Sequence, residues 1–384
     1  MYQYIYKLGH CPDLGVAEFL SVTANPSTKK PLNIDQNPPR FNFQWLMSNT
    51  LIDVNSTGSL VFGGSVVESF ELDNNQVKEQ VILDAIANYL SLNTIKKLGI
   101  FVPQVDSKEL FKIIKPHCNK ITITTKLPNF GHWKLTNNWL ILIKFQNILY
   151  LIKLDSYADQ EFWTKMDDGL PCADMSRGII NLKLGRSLLN LTNNPNVWDS
   201  FAGQGRIIAS GMDLKANFLA SDNDERVIPD CVKNCNYAEH FWSKNKFNKQ
   251  DTEVIGQLNS SWIQDASEVN EELETFFGDK TYAIVSEGYL GKNFKNAPDL
   301  DKANEQELKL IELWEKLLVN YANSPVQEIV ACLPFYPQIN YIPEYKMLSQ
   351  NPNWQMIKLC KTNFIEYKRD NSLVGHLIFK LVKV

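Results

Sequence analysis

From Trp198 the chain reads Trp198-Asp199-Ser200-Phe201-Ala202-Gly203-Gln204-Gly205-Arg206, and it reaches a second acid-ended apolar stretch at Ala220-Ser221-Asp222. A short strand ending in an acid, a bend with two glycines, a helix and a second strand ending in an acid restrict the fold more than any other feature. Glycines let backbone approach a ligand where a Cβ would collide. An acid about 20 residues on is placed to accept hydrogen bonds from ribose hydroxyls. The bend reads Gly-Gln-Gly and lacks the longer G-x-G-x-x-G that cradles a pyrophosphate. A cofactor without phosphate, such as S-adenosylmethionine (SAM), therefore fits it better than NAD.

The pattern around this bend extends the argument. Strands are expected at 196–200, 217–221, 261–264, 282–286 and 327–333, with helices around 225–240, 269–277 and 304–322. Alternation of this kind predicts a parallel, doubly wound, Rossmann-like α/β sheet. The end of the chain, Phe364 to Tyr367 and then Leu373 to Lys383, reads as an antiparallel hairpin turning near Arg369-Asp370-Asn371. Upstream, residues 75–91 carry Val77, Val81, Ile82, Ala85, Ile86, Tyr89 and Leu90 at helical spacing. Further strands are expected at 41–46, 59–71, Leu98–Val102, Ile121–Thr125 and along the run from Trp139 to Ile152, with a helix over Ser107–Ile114. That half is a mixed α+β region. A polar junction at about 155–178 sets the expected boundary, giving domains of 1–160 and 161–384.

Charge separates the halves. The net charge of -4 argues against a surface wholly committed to nucleic acid. Between 96 and 153, however, ten lysines (Lys96, Lys97, Lys108, Lys112, Lys115, Lys120, Lys126, Lys134, Lys144 and Lys153) stand against Asp106 and Glu109. His117, Asn129, His132 and Trp133 are interleaved. Such a subdomain can supply phosphate contacts to RNA, or it can be a solvated lysine-rich surface. Seven cysteines without a secretory h-region at the start point to reduced thiols and a cytoplasmic setting. No run approaches the roughly 18 apolar residues of a membrane span. Cys231, Cys235 and His240 lack a partner pair of donors, so they are read as half-buried thiols and no metal is expected.

Several motifs in order resemble those of the THUMP-domain tRNA guanine-N2-methyltransferases, within a broader RNA methylase family of class I SAM-dependent methyltransferases. Gly178, Lys183-Leu184-Gly185-Arg186 and Asn190-Leu191 resemble that family's entry helix, with Gly185 in place of Ala. Asp199-Ser200-Phe201-Ala202-Gly203-Gln204-Gly205 is similar to its Asp-Pro-Phe-Cys-Gly-x-Gly loop. Ala220-Ser221-Asp222 resembles its Gly-Ser-Asp, Gln264-Asp265-Ala266 its Asp-Ala, and Asn234 or Asn236 the Asn that ends the following helix. The match covers about 160–384. Tyr4-Ile5 through Ala17-Glu18 looks like the family's opening, which implies a ferredoxin-like segment plus a THUMP-like RNA-binding module in residues 1–160.

The resemblance implies a seven-stranded methyltransferase sheet with an antiparallel terminal hairpin, SAM as cofactor and tRNA as partner. It implies cofactor contacts from Asp199, Phe201, Ala202, Gly203, Gly205, Asp222, Asp265 and Ala266. Asp224 competes with Asp222 for the ribose or caps the next helix. The family's Asp/Asn-Pro-Pro-Phe/Tyr motif is replaced by Ser286-Glu287-Gly288-Tyr289. In that reading Ser286 or Glu287 accepts from the target amine, Tyr289 stacks on the flipped base, and Gly288, standing for proline, loosens the loop, so that restoring proline should raise activity if the site is merely weakened and do nothing if the base pocket is gone. Alternatives are a weakened or inactive relative that still binds RNA, and a DNA amino-methyltransferase. Some relatives need a small activator subunit. The oligomeric state is left open. Lys183 and Arg186 reach phosphate or the cofactor carboxylate, or lie on a solvated helix face. Pro334-Phe335-Tyr336-Pro337 walls the base pocket or packs in the core, and Phe162 and Trp163 are packing.

Overall fold

The computed structural model describes residues 3–23, 44–73, 77–103, 105–124, 126–127, 135–136, 138–174, 179–214, 216–245, 256–291, 294, 296–359, 362–370 and 372–384. Asn129, His132, Trp133, Lys134, Gly178 and Asn371 lie outside them. Chain order is β1 (Tyr4–Leu8), α1 (Pro12–Thr23), β2 (Trp45–Ser48), β3 (Leu60–Glu71), α2 (Glu79–Leu92), β4 (Lys97–Phe101), α3 (Ser107–Ile114), β5 (Lys120–Ile123), β6 (Trp139–Phe145) and β7 (Ile148–Tyr157). Then come α4 (Gln160–Gly169), α5 (Leu182–Asn190), β8 (Asn196–Asp199), α6 (Arg206–Ser210), β9 (Asn217–Asp222), α7 (Ile228–Lys244), β10 (Gln257–Ile263) and α8 (Glu271–Phe277). The chain ends with β11 (Tyr282–Ser286), α9 (Leu300–Asn320), β12 (Val326–Phe335), α10 (Lys346–Ser349), β13 (Trp354–Ile357), β14 (Ile365–Tyr367) and β15 (Gly375–Lys383).

The chain divides into two compact units. The first holds one seven-stranded sheet in the order β2-β1-β3-β7-β6-β4-β5. Strand β1, which with α1 forms the expected strand-then-helix opening, hydrogen-bonds into the same sheet as the strands that follow it. Alternation along β6 sorts its side chains: Leu140 and Leu142 join the cluster under α2 and α3, whereas Trp139, Ile141 and Ile143 join the cluster on the other face. The run from Trp139 to Ile152 is a tight hairpin turning at Gln146, which takes a positive φ of 56°. No glycine marks that turn in the sequence.

The second unit is the doubly wound sheet expected from the sequence, in the order β10-β9-β8-β11-β12-β15-β13, with β14 also on β15. Strands β8 to β12 run parallel and β15 antiparallel to β12. One correction concerns strand number: the sheet has eight strands. The outer position beside β15 is shared by β13, paired with Lys380–Lys383, and β14, paired with His376–Ile378. The central strands β8 and β11 are buried along their whole length, as a parallel sheet covered on both faces requires. Helix α9 covers one face with Ala303, Gln306, Leu310, Trp314, Leu317 and Leu318, a stripe at helical spacing. Strand β8 pairs with β9 on one side and β11 on the other, so the chain leaves it in opposite directions. Ligands bind outside the carboxyl ends of strands at such a reversal. No described helix is long and apolar enough to cross a membrane.

The second unit also takes Asp13 onward of α1 and Thr57–Ser59, which the sequence placed in the first domain. The reason is Glu18, wholly buried, which accepts hydrogen bonds from Gly58 N (2.8 Å), Ser59 N (2.9 Å), the Ser59 hydroxyl, Asn190 Nδ2 (2.7 Å) and Ser187 Oγ (3.2 Å). Removing the carboxylate leaves several buried donors unpaired. Glu18→Ala is expected to lower stability by about 3 kcal/mol, read from the urea midpoint; an unchanged midpoint would show that this cluster holds nothing together.

Candidate active site

The glycine bend is held from three sides. Trp198 Nε1 donates to Ser221 Oγ (3.0 Å), tying β8 to β9 beneath it. Gly203 N donates to Asp222 Oδ2 and Asp224 N to Asp222 Oδ1, both at 2.9 Å. Asn234, one of the two asparagines considered, clasps the bend from α7: Nδ2 donates to Gln204 O (2.9 Å) and Cys172 O (2.8 Å), and Oδ1 accepts from Cys172 N (2.9 Å). Both glycines take left-handed φ, 49° at Gly203 and 73° at Gly205, but for different ends. A Cβ on Gly203 would meet nothing within 4 Å. A Cβ on Gly205 would come 2.7 Å from Cys231 Sγ and 3.0 Å from Cys235 Sγ. Gly205 therefore lets α7 press against the bend rather than letting a ligand approach. Cys231 and Cys235 are fully buried there, deeper than expected.

A cavity of about 580 Å³ opens at the carboxyl ends of β8 to β11. It brings together Asp199, Phe201, Ala202, Gly203, Asp222, Asp265, Ala266, Glu287, Gly288 and Tyr289. Ser286 and Gly205 are not on its wall. Ser286 is buried and faces inward, where its hydroxyl donates to Asp199 Oδ1 (2.7 Å) and accepts from Gly288 N (3.3 Å). That geometry commits Ser286 to the loop and leaves Glu287 as the carboxylate of the motif that lines the cavity.

Five carboxylates line the cavity: Asp199, Asp222, Asp224, Asp265 and Glu287. Among the described residues the one guanidinium on the wall, that of Arg206, is held by Asp167 and by Ile180 O (2.8 Å). Burial pushes the Asp199 carboxyl up to about 7, the hydrogen bonds from Ser286 and Phe201 N pull it down, and Asp222 and Glu287 add repulsion. Its Oδ2 is buried and has no hydrogen-bond partner among the described residues. Asp265 goes the other way: the Ser267 hydroxyl and N–H both donate to Oδ1 and hold its carboxyl below the usual range.

The motif loop differs most from expectation. Gly288 takes φ 74°, and a Cβ there would sit 2.9 Å from Cys332 O. Proline, fixed near φ −65° and lacking an N–H for Ser286, cannot occupy this position. The loop is thus a defined left-handed turn, and the expectation that proline would restore activity is withdrawn. Tyr289 stands 44% exposed on the cavity wall. Glu287 Oε1 lies 2.7 Å from His376 Nε2 of β15, a residue that sequence reasoning missed.

Other candidates fall outside the cavity. Arg186 is buried, paired with Asp213 and placed over the Trp242 ring at 5.8 Å, so it is neither solvated nor able to reach a ligand. Burial pulls the Lys183 amine down, with Glu18 opposing. Asp224 is the exception: it lines the cavity, with its carboxylate paired with Arg226. Phe335 and Tyr336 are core residues, and Phe162 and Trp163 pack around Trp242.

Two outcomes follow from these turns and charges. Gly288→Pro is expected to cost about 3 kcal/mol or more, seen as a fall in thermal midpoint, with Gly288→Ala costing less. Asp199 binds a proton more tightly folded than unfolded, so stability falls as pH rises from about 4 to about 7 and then levels off. The advantage of Asp199→Asn over the wild type should grow across that window to on the order of 4 kcal/mol, measured by denaturation at pH 4, 6 and 8. A pH-independent difference would refute the buried ionisation.

No protein-family model and no curated protein matches this chain. Among solved structures it is similar to TrmN from Thermus thermophilus, at 11% identity and a TM-score of 0.46 over 100% of both chains. It is also similar to a possible methylase from Clostridium difficile 630, at 10% identity and 0.44 over 100% of this chain and 98% of that one. A third is a predicted N6-adenine-specific DNA methylase from Listeria monocytogenes, at 11% identity and 0.39 over 98% and 96%. At this level of likeness the chemistry has to be read from the cavity itself.

Proposed function

We propose that this chain is a SAM-dependent methyltransferase acting on an exocyclic amine of a nucleic-acid base, with guanine N2 in tRNA as the substrate supported by the motif order. One observation carries the cofactor half: among the described residues five carboxylates line the cavity, and the one arginine there is already paired. Such a wall repels phosphates and suits a ligand made of a cation and hydrogen-bond donors. SAM offers a sulfonium, an ammonium, ribose hydroxyls and an adenine amine. The unpartnered, buried Asp199 Oδ2 suits the ammonium. Asp222, whose two oxygens each accept one backbone N–H, retains lone pairs for the ribose. Asp265 keeps Oδ2 for the adenine amine, beside the apolar Phe201 and Ala266.

When bound, SAM supplies a methyl carbon activated by positively charged sulfur. Positioning is then the protein's main task. Tyr289 provides an exposed ring for a flipped base to stack upon, and Glu287 accepts from the amine so that the nitrogen lone pair is directed away from the carboxylate. We assign RNA contacts to residues 1–160, where Lys96, Lys97, Lys108, Lys115 and Lys120 are exposed. A cytoplasmic location and a small activator subunit belong to the same reading.

The test is transfer of a radiolabelled methyl group from SAM to unmodified tRNA, with nucleoside analysis of the product and duplex DNA as competitor. Incorporation as N2-methylguanine is expected. Tyr289→Ala should lower turnover by roughly 10-fold or more, the cost of one lost base stack, with SAM affinity unchanged. SAM binding without transfer to any nucleic acid would overturn the catalytic reading and favour an RNA-binding relative.

A further inference from the structure

His376 and Glu287 lie 89 positions apart and meet beside the cavity at 2.7 Å, Nε2 to Oε1. The sheet rather than the loop fixes this contact. His376 lies in β15 with Pro334 of β12 opposite on one side and Tyr367 of β14 on the other. The Tyr367 ring meets the imidazole edge-on, with centroids 5.9 Å apart and planes at 69°. Glu287 follows the last residue of β11, lines the cavity and is held between two residues committed elsewhere, Ser286 to Asp199 and Gly288 to its left-handed turn. The two side chains are only 17% and 22% exposed. Oε1 is engaged by the imidazole, and among the described residues Oε2 makes no hydrogen bond.

We propose that His376 is a positioning residue for amine methylation, acting through Glu287; the proposal rests on the methyl-transfer reading above. A glutamate has one more methylene than an aspartate, and its terminal torsion is broad, so an unanchored Glu287 samples many directions. The His376 Nε2–H donates to Oε1, holds the carboxylate in one orientation and leaves Oε2 for the amine. The amine nitrogen uses its lone pair to form the new bond to the methyl carbon. The carbon–sulfur bond breaks with its electron pair staying on sulfur, which becomes neutral. The N–H proton passes to Glu287 Oε2, while the imidazole proton stays on Nε2. Solvent then takes the proton from Glu287.

Two measurements test this, and the first needs no cofactor. In nitrogen-15 NMR of the unliganded protein, the His376 imidazole should carry a hydrogen-bonded Nε2–H proton that disappears in Glu287→Leu. In single-turnover transfer from SAM to tRNA, His376→Leu should slow the methyl step roughly 10- to 100-fold, the scale of a misplaced group, with the affinities for SAM and tRNA unchanged. His376→Gln, which keeps an N–H donor, should recover most of that rate; a merely structural histidine would show no such rescue. An unprotonated Nε2, a normal rate in His376→Leu, or glutamine no better than leucine would each overturn the assignment. Wild-type protein that binds SAM yet methylates no nucleic acid, while the NMR signal is present as described, would overturn the methyl-transfer reading and the positioning role with it, leaving only the pair.

Discussion

The second unit is organised around a carboxylate that would be better solvated almost anywhere else. Asp199 ends the central strand, is wholly enclosed, and is tied to the neighbouring strand through the Ser286 hydroxyl. A buried acid with one oxygen unpartnered is costly unless something positive or donating arrives. That need accounts for much of what surrounds it. The glycine bend stays open above it, Asp222 is fixed by two backbone N–H groups, and the nearby Arg206 is held away by Asp167. Neutralising Asp199 from within the protein would relieve the strain and remove the attraction for a cationic ligand at the same time.

Much of this was legible from residue order. Strand β11 was located at 282–286 because a parallel strand buried on both faces is an unbroken apolar run. Strand β10 was read too late, from Ser261, because an edge strand tolerates polar residues such as Asn259 and Ser260, which carry no apolar signal. The cofactor bend was found by its glycines, yet Gly205 was correct in place and mistaken in role. What it avoids, two sulfur atoms on α7, lies about 30 residues further along and shows only when the helix folds back. Arg186 illustrates the same limit: a charged residue at helical spacing looks solvated until Asp213 and Trp242 close over it.

His376 was invisible for a stronger reason. Nothing in its neighbours marks it, and its meeting with Glu287 depends on the register of β15 against β12 across nearly a hundred residues. Ser286 and Glu287 were indistinguishable as acceptors on paper. Only the orientation of the strand end, which sends one side chain under the sheet edge and the next into the cavity, separates them.

The left-handed turn at Gly288 has an implication for how such a loop can change. Its backbone angle, the closeness of the Cys332 carbonyl to any added Cβ, and the hydrogen bond from its N–H to Ser286 each oppose proline. No single codon change could convert this loop to the diproline form. A loop with proline here would need the serine contact rebuilt and the chain moved away from β12. The glycine and the serine thus form a ratchet, and an engineer wishing to exchange the two loop designs should transplant the whole segment rather than edit it one residue at a time.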